Sequence, residues 1–238
     1  MLVLVLDSAT PAVTAAVVEV GEPGVGDPGV VVRAGRSAVD ARAHGELLAP
    51  QVDSVLREIG ARPRDLAAIV AGLGPGPFTG LRVGLVTAAG MGQALDIPTY
   101  GVCSLDALGW SAARVNGPGR AAPGKVLAAT DARRREIYWA VYADRVRVTE
   151  PQVGRPVDVA AAVARMGVLS AIGEGAHKYA AVLPLALLDE PRYPTAEALA
   201  ALAAERVRAG RPGERLTPLY LRRPDAVAAA GRKPVLQA

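Results

Sequence analysis

At 238 residues the chain can bury a substantial core, enough for one large domain or two small ones. With 51% hydrophobic and 21% charged residues it has the composition of an ordinary folded, soluble protein, and its single cysteine, Cys103, excludes an internal disulfide framework and suits a reducing cytosol. The net charge of +4 comes from basic residues spread along the chain, with small clusters at Arg133–Arg135 and Arg222–Arg223, so it reads as a solvated surface; no charged-then-apolar leader opens the chain, and a cytoplasmic location is expected.

Met1–Asp7 is an apolar run that predicts a strand ending on an aspartate, followed by a turn at Ser8–Pro11 and a second strand over Val13–Val20. A third strand, Val30–Arg33, follows across a Gly/Pro loop. The helix beginning near His44 carries Leu47, Leu48, Val52, Val55, Leu56 and Ile59, an amphipathic pattern whose first turns Pro50 is expected to bend. Leu66–Ala71 predicts a short buried strand, and Thr79 is a candidate cap for a helix running on to Leu95, with Pro98 soon after its end. A strand then leads to Gly101. Asn116–Gly124, rich in Gly and Pro, reads as a linker. Beyond it the sequence predicts strands over Val126–Asp131 and Glu136–Tyr142, a helix near Val157–Met166, a strand near Val168–Ile172 and a helix near Ala196–Ala209.

Residues 72 to 84, Gly-Leu-Gly-Pro-Gly-Pro-Phe-Thr-Gly-Leu-Arg-Val-Gly, join a buried strand, a rigid turn and a helix start in one run. Glycine-rich loops before helices often cradle phosphate. Here no Lys follows the last glycine, the dinucleotide spacing is missing, and Pro75 and Pro77 have no N–H to offer, so packing is the better reading. In the helix behind the loop Gly80, Gly84, Ala88 and Gly92 recur every fourth residue along one face. Each helical glycine costs about 1 kcal/mol relative to alanine, so the row implies the close approach of another backbone. Spacing leaves two candidates for that neighbour, the chain's own sheet or another protein. The lack of a long apolar span, with Arg82 on the helix, excludes a membrane pair.

Two apolar strands joined by a turn that begins on an acid, Asp7 in one case and Asp131 in the other, form an internal echo. Antiparallel strands feeding a βαβ run, then partly repeated, predict two related α/β lobes, residues 1–115 and a reduced second lobe, 116–238. That plan resembles the actin, hexokinase and Hsp70 superfamily, in which the first hairpin approaches nucleotide phosphates. The glycine expected in that hairpin is Ala9 here, and no Gly-rich adenosine loop is legible in the second half. Asp7 could hold magnesium, but as a turn residue bonding its own backbone it needs no ligand.

Six segments narrow the resemblance: Leu6-Asp-Ser-Ala-Thr10, Ala43-His-Gly-Glu-Leu-Leu-Ala-Pro50, Gly74–Gly84, Gly101-Val-Cys-Ser-Leu105, Asp131-Ala-Arg133 with Glu136-Ile-Tyr-Trp139, and Pro218-Leu-Tyr-Leu-Arg222. Over nearly its whole length the chain resembles the TsaB (YeaZ) family, non-catalytic partners in the bacterial machinery that installs threonylcarbamoyl on adenosine 37 of tRNA. Pro77 stands where the family commonly has serine. In the related catalytic subunit, TsaD, a His-x-x-x-His pair binds a metal ion; aligned through Gly101-Val102, those positions fall on Ser104 and Leu108, and a leucine cannot ligate a metal. The resemblance therefore implies a scaffold with no catalytic, cofactor or metal residues of its own. It pairs with TsaD through its first two helices, self-associates through the same surface when alone, works alongside the ATPase TsaE, and meets tRNA through the complex. ATP and metal are expected in the partner subunits. The interface the resemblance implies comprises His44, Leu48, Val52, Val55, Phe78, Gly80, Leu81, Gly84, Leu85 and Ala88. His44 reads as a capping or subunit-contact residue, His177 as a surface residue and Cys103 as a buried small residue.

Two other classes fit the sequence less well. A small-molecule kinase or ATPase of the superfamily needs an open phosphate hairpin, which Ala9 and the loop prolines oppose. A peptidase needs a nucleophile beside a base, and no such arrangement is legible.

Overall fold

The computed structural model describes residues 1–112 and 124–222. The linker expected at 116–124, apart from Gly124, and the boundary at 115/116 lie outside the described residues. In chain order the elements are β1 (Leu2–Asp7), β2 (Ala12–Val20), β3 (Val30–Val39), α1 (His44–Glu58), β4 (Leu66–Gly72), α2 (Phe78–Leu95), β5 (Thr99–Val102) and α3 (Ser104–Ala112). There follow β6 (Lys125–Asp131), β7 (Ile137–Ala143), β8 (Val146–Arg147), β9 (Gln152–Gly154), α4 (Pro156–Arg165), β10 (Val168–Ile172), α5 (Glu174–Lys178), β11 (Ala186–Leu187) and α6 (Ala196–Arg208). Strand β3 runs to Val39, well past Arg33, because its register on β2 continues from Val30↔Val20 to Val39↔Ala12.

The internal echo is topological. The first sheet has the order β3-β2-β1-β4-β5 and the second β11-β10-β6-β7-β8, with β9 also on β7. In each, an antiparallel hairpin (β1–β2, β6–β7) takes a parallel strand on its first arm (β4, β10). The side chains of each sheet alternate between two buried faces. Leu4, Leu6, Val13, Val17 and Ile69 meet α1 and α2, whereas Val3, Val5, Val18 and Val70 meet Leu199, Ala203 and Val207 of α6. In the second sheet Val126, Ala128, Tyr138 and Ala140 face Leu105 and Leu108 of α3, and Leu127, Trp139 and Val141 face Val159 and Val163 of α4.

The helices do not respect the division made by the sheets. Helix α3, from the first half, packs on the second sheet, and α6, from the end of the chain, covers the first. The strands of the first sheet come from residues 2–102 and those of the second from residues 125–187, while the helices that cover them cross between the two stretches. Asp106 of α3 fixes the exchange, accepting two bonds from Arg147 (Nε 2.9 Å, Nη2 2.5 Å) and one from the Tyr142 hydroxyl at 2.7 Å. After α6 an extended tail shields the edge of β5, with the Glu214 N–H on Thr99 O at 2.7 Å, then crosses the loop after β4, with the Leu219 N–H on Leu73 O at 2.9 Å.

The glycine row of α2 faces inward. A Cβ on Gly84 would lie 2.5 Å from Ser8 Oγ, one on Gly80 3.0 Å from both Ser8 O and His44 Nε2, and one on Gly92 2.5 Å from the Thr99 methyl. The close neighbour is therefore the chain itself, the first hairpin at Gly80 and Gly84 and the start of β5 at Gly92. Replacing Gly84 by Leu is expected to destabilise the isolated chain by about 1 to 3 kcal/mol through overpacking against Ser8. Chemical denaturation of the dilute protein tests this; an unchanged midpoint would overturn the inward assignment.

Candidate functional site

The turn between β1 and β2 is sealed. Asp7, Ser8, Ala9 and Thr10 are each 2% exposed or less. Asp7 Oδ1 accepts the Ala9 N–H at 3.0 Å, the self-bonded turn expected of an aspartate there, and Oδ2 accepts the Ser104 hydroxyl at 2.6 Å. Ser104 Oγ in turn accepts the Gly74 N–H at 3.2 Å. Gly72 and Gly76 complete the seal: a side chain at Gly72 would run into the Asp7 carboxylate, and one at Gly76 into the Ala9 backbone. The Gly/Pro loop thus lies directly on the hairpin, over the backbone that a phosphate would have to approach. Burial pushes the Asp7 carboxyl up from its usual 3.8 to about 6, against the bonds from Ser104 and Ala9 that hold it down.

Ser8 joins the hairpin to α2. Its hydroxyl donates to Gly80 O at 2.8 Å and accepts the Gly84 N–H at 2.9 Å, bridging a donor and an acceptor one helical turn apart. His44, the first residue of α1, turns its ring onto the same turn, with Nε2 2.9 Å from Thr10 O. It is a hairpin strut, and it makes no side-chain cap. Thr79 does not cap α2 either: Pro77 is at the N-cap, no side chain makes a cap bond, and Thr79 is exposed.

Most of the expected interface residues lie in the interior of the chain. His44, Leu48, Val52, Val55, Gly80, Leu81, Gly84, Leu85 and Ala88 are all buried by the chain's own hairpin and sheet, and Phe78 is half-buried at a cleft. Apolar periodicity finds the buried stripe of a helix, and it cannot by itself say whether the burying surface is its own or a partner's. The parts of α1 and α2 turned outward carry Ala49, Val86, Ala89, Gly90 and Ala94, with Leu47, Val83 and Met91 half-buried at the margin; Val86 is 70% exposed.

Leu108 is fully buried against the second sheet and Ser104 is committed to Asp7. Cys103 is buried, and its thiol is pushed up to about 12, first by burial and then by the Asp106 charge, the opposite of an activated nucleophile. His177 is half-buried with Nε2 3.0 Å from Leu188 O, not a free surface residue.

A cleft of about 300 Å³ that sequence reasoning did not single out opens between the end of the Gly/Pro loop, the second hairpin and the tail. Phe78, Tyr138, Tyr220, Arg133, Arg134 and Arg222 line it. The Phe78 and Tyr220 rings stack at 5.1 Å, and the Arg82 guanidinium sits 3.6 Å over the Phe78 ring while its Nε donates to the Tyr220 hydroxyl at 2.7 Å. Arg222 donates to Ala132 O at 3.0 Å and pairs with Glu136. Three of the six segments that carried the resemblance meet here, and that recurrence was the available signal.

The match to the family described as "TsaD: tRNA N6-adenosine threonylcarbamoyltransferase" spans residues 38–222. An uncharacterized protein of Mycobacterium tuberculosis is 44% identical over 228 residues, covering 94% of this chain and 93% of that one. The Escherichia coli tRNA threonylcarbamoyladenosine biosynthesis protein TsaB is 40% identical over 101 residues, 42% of each chain. The solved structure of YeaZ from Pseudomonas aeruginosa superimposes with a TM-score of 0.72 at 29% identity, over 92% of this chain and 99% of that one. Fold and site together define an actin-like two-lobed protein whose first hairpin is closed from within. The chain belongs to the TsaB (YeaZ) family.

The buried Asp7 gives a pH signature. Its folded pKa lies above the unfolded one, so the native state binds the proton more tightly, and this contribution to stability is present at low pH and lost as pH rises from about 4 through about 6. Asp7→Asn, whose amide can still accept from Ala9 and donate to Ser104, is expected to gain on the wild type by up to about 3 kcal/mol between pH 4 and pH 7. Parallel denaturation curves across that range check it; a constant difference between the two proteins would refute the assignment.

Proposed function

We propose that the chain is a non-catalytic subunit that docks on a TsaD-type catalytic subunit and supports threonylcarbamoyl transfer to adenosine 37 of tRNA. The observation that carries this reading is the sealed hairpin, whose phosphate-facing backbone is covered by Gly76 and whose acid is committed to Ser104 and Ala9. The names of the Escherichia coli relative and of the matched family supply the pathway. A kinase or ATPase of this fold would need that hairpin open. Ser104 and Leu108, where the resemblance puts histidines in TsaD, both point into the interior and support a partner-supplied metal and ATP.

The docking surface we favour is the outward side of α1 and α2. Val86, Ala89 and Gly90 form a small-residue patch, flanked by half-buried Val83 and Met91, against which another helix can lie closely. The sealed interior beneath it is a rigid backing, which lowers the entropic cost of docking. A TsaE-type ATPase would join the assembly, tRNA would be met through the complex, and the same face would serve a homodimer when TsaD is absent.

Reconstitution tests the whole reading. The chain alone is expected neither to hydrolyse ATP nor to modify tRNA, and to restore modification when added to TsaD, TsaE and a threonylcarbamoyl-adenylate source. Transfer by this chain alone, or full transfer without it, would sink the scaffold role. Val86→Glu probes the surface. Because Val86 is largely exposed, folding stability is expected to change by less than about 0.5 kcal/mol, while affinity for TsaD falls more than about tenfold. Unchanged affinity in a titration would move the interface elsewhere.

A further inference from the structure

We infer that the cleft between the Gly/Pro loop, the second hairpin and the tail binds a nucleoside phosphate unit, with the base on the Tyr220 side and the phosphate on Arg133. The inference goes beyond the scaffold reading and does not depend on it. It starts from an accounting of charge. Of the cations around the cleft, Arg222 pairs with Glu136, and Arg82 is held on Phe78 and Tyr220. The nearby acid Asp131 is taken by Lys178 at 2.7 Å. Among the described residues no salt bridge or hydrogen bond engages the Arg133 guanidinium, whose charge acts on Glu174 only through space and leaves its donors open on the rim.

The backbone has been bent to put it there. Arg133, Arg134 and Arg135 take φ of 60°, 53° and 62°, three consecutive left-handed residues in a turn that has no glycine. Such residues are uncommon outside Gly, Asn and Asp. The turn is closed by the Ala132 N–H on Glu136 O at 2.9 Å and the Glu136 N–H on Arg133 O at 3.0 Å, and Arg222 clamps it from the tail through Ala132 O. All three arginines are exposed, and Arg133 and Arg134 line the cleft.

The other wall supplies the aromatic half of the ligand's chemistry. Tyr220 is 38% exposed, and both its ring and its hydroxyl are already fixed, the one by Phe78 and the other by Arg82. A ring held in this way stacks a base with little further loss of freedom, and stacking on an aromatic tolerates any base because every base has a π-face. A volume of about 300 Å³ is at the small end of ligand sites and suits one nucleotide, not an extended polymer segment. The open face of α2 adds to the pull on an anion: its first turn carries no acid and no side-chain cap, and Phe78 at its start is in the cleft wall. Inorganic anions alone would leave the apolar wall unused.

One nucleotide could come free or as a unit of single-stranded RNA, and two probes separate these sources. Adenosine monophosphate is titrated calorimetrically into the full-length chain, and a fluorescent six-residue oligoadenylate is followed by anisotropy. Binding of the mononucleotide indicates a free-nucleotide site; binding of the oligonucleotide alone indicates an RNA contact. In either case Arg133→Asn, which tolerates the left-handed backbone, is expected to weaken binding about tenfold, and Tyr220→Ala at least about fivefold. Arg165→Asn removes an exposed arginine from the far end of α4 and is expected to leave affinity unchanged. Thermal unfolding of each variant guards against loss of fold. The inference is overturned if neither probe binds, if the two cleft variants bind as the wild type does, or if Arg165→Asn weakens binding as much as they do.

Discussion

One hydroxyl organises the first half of this molecule. Ser8 places Oγ between the Gly80 carbonyl and the Gly84 N–H, and that bond pair can form only if the hairpin comes to the helix surface with no side chain between them. Gly80 and Gly84 of α2 follow from that constraint, as does the position of the Gly/Pro loop, which must start from β4 and reach the helix by passing over the hairpin. With the loop in place Gly76 rests on Ala9, Gly74 reaches Ser104, and Ser104 closes on Asp7. A buried serine satisfied on both its donor and acceptor sides costs little to bury, and leaving either side unmet would cost about 1 to 3 kcal/mol. The interior polar chain is therefore self-consistent, and it locks as a unit.

The second hairpin repeats the topology and reverses the exposure. Asp131 corresponds to Asp7 but sits half-buried, paired with Lys178 and within 3.4 Å of the Tyr179 hydroxyl, and its N–H is taken by Glu174 at 2.8 Å. Burial pushes Glu174 up to about 7, with the Asp131 charge adding to the effect. Where the first turn disappears under a loop, the second is raised on left-handed arginines and faces a cleft. Two copies of one plan have been given separate work, one as interior and one as surface.

Much of this was legible in residue order. Continuous apolar runs located β1, β2, β4, β6, β7 and β10 to within a residue or two, because a strand buried on both faces is written mostly with apolar side chains. The echo of the acid-tipped hairpins gave the two lobes. The glycine row announced a close approach, but a period of four says that something is near and not what it is. Deciding between sheet and partner needed Ser8, a residue 72 positions from Gly80 whose serine identity alone carries no direction. The cap at Thr79 failed because Pro77 already ends the loop with a fixed φ, and no side chain is needed to begin the helix there. The cleft was hidden for a third reason: Phe78, Arg133 and Tyr220 come from three distant segments, and only the tail, which has no regular structure to predict, brings the last of them in.

The exchange of helices has a consequence for how the protein is made. Val3, Val5 and Val18 project from β1 and β2, which are synthesised long before the helix that covers them, α6, whose last residue is Arg208. At roughly 5 to 20 residues per second, that apolar face stays uncovered for about ten seconds or more during synthesis. The nascent chain must carry an unfinished sheet until α6 is made, and the demand on chaperones lasts until then. A truncation that removed α6 would leave one face of β1 and β2 bare.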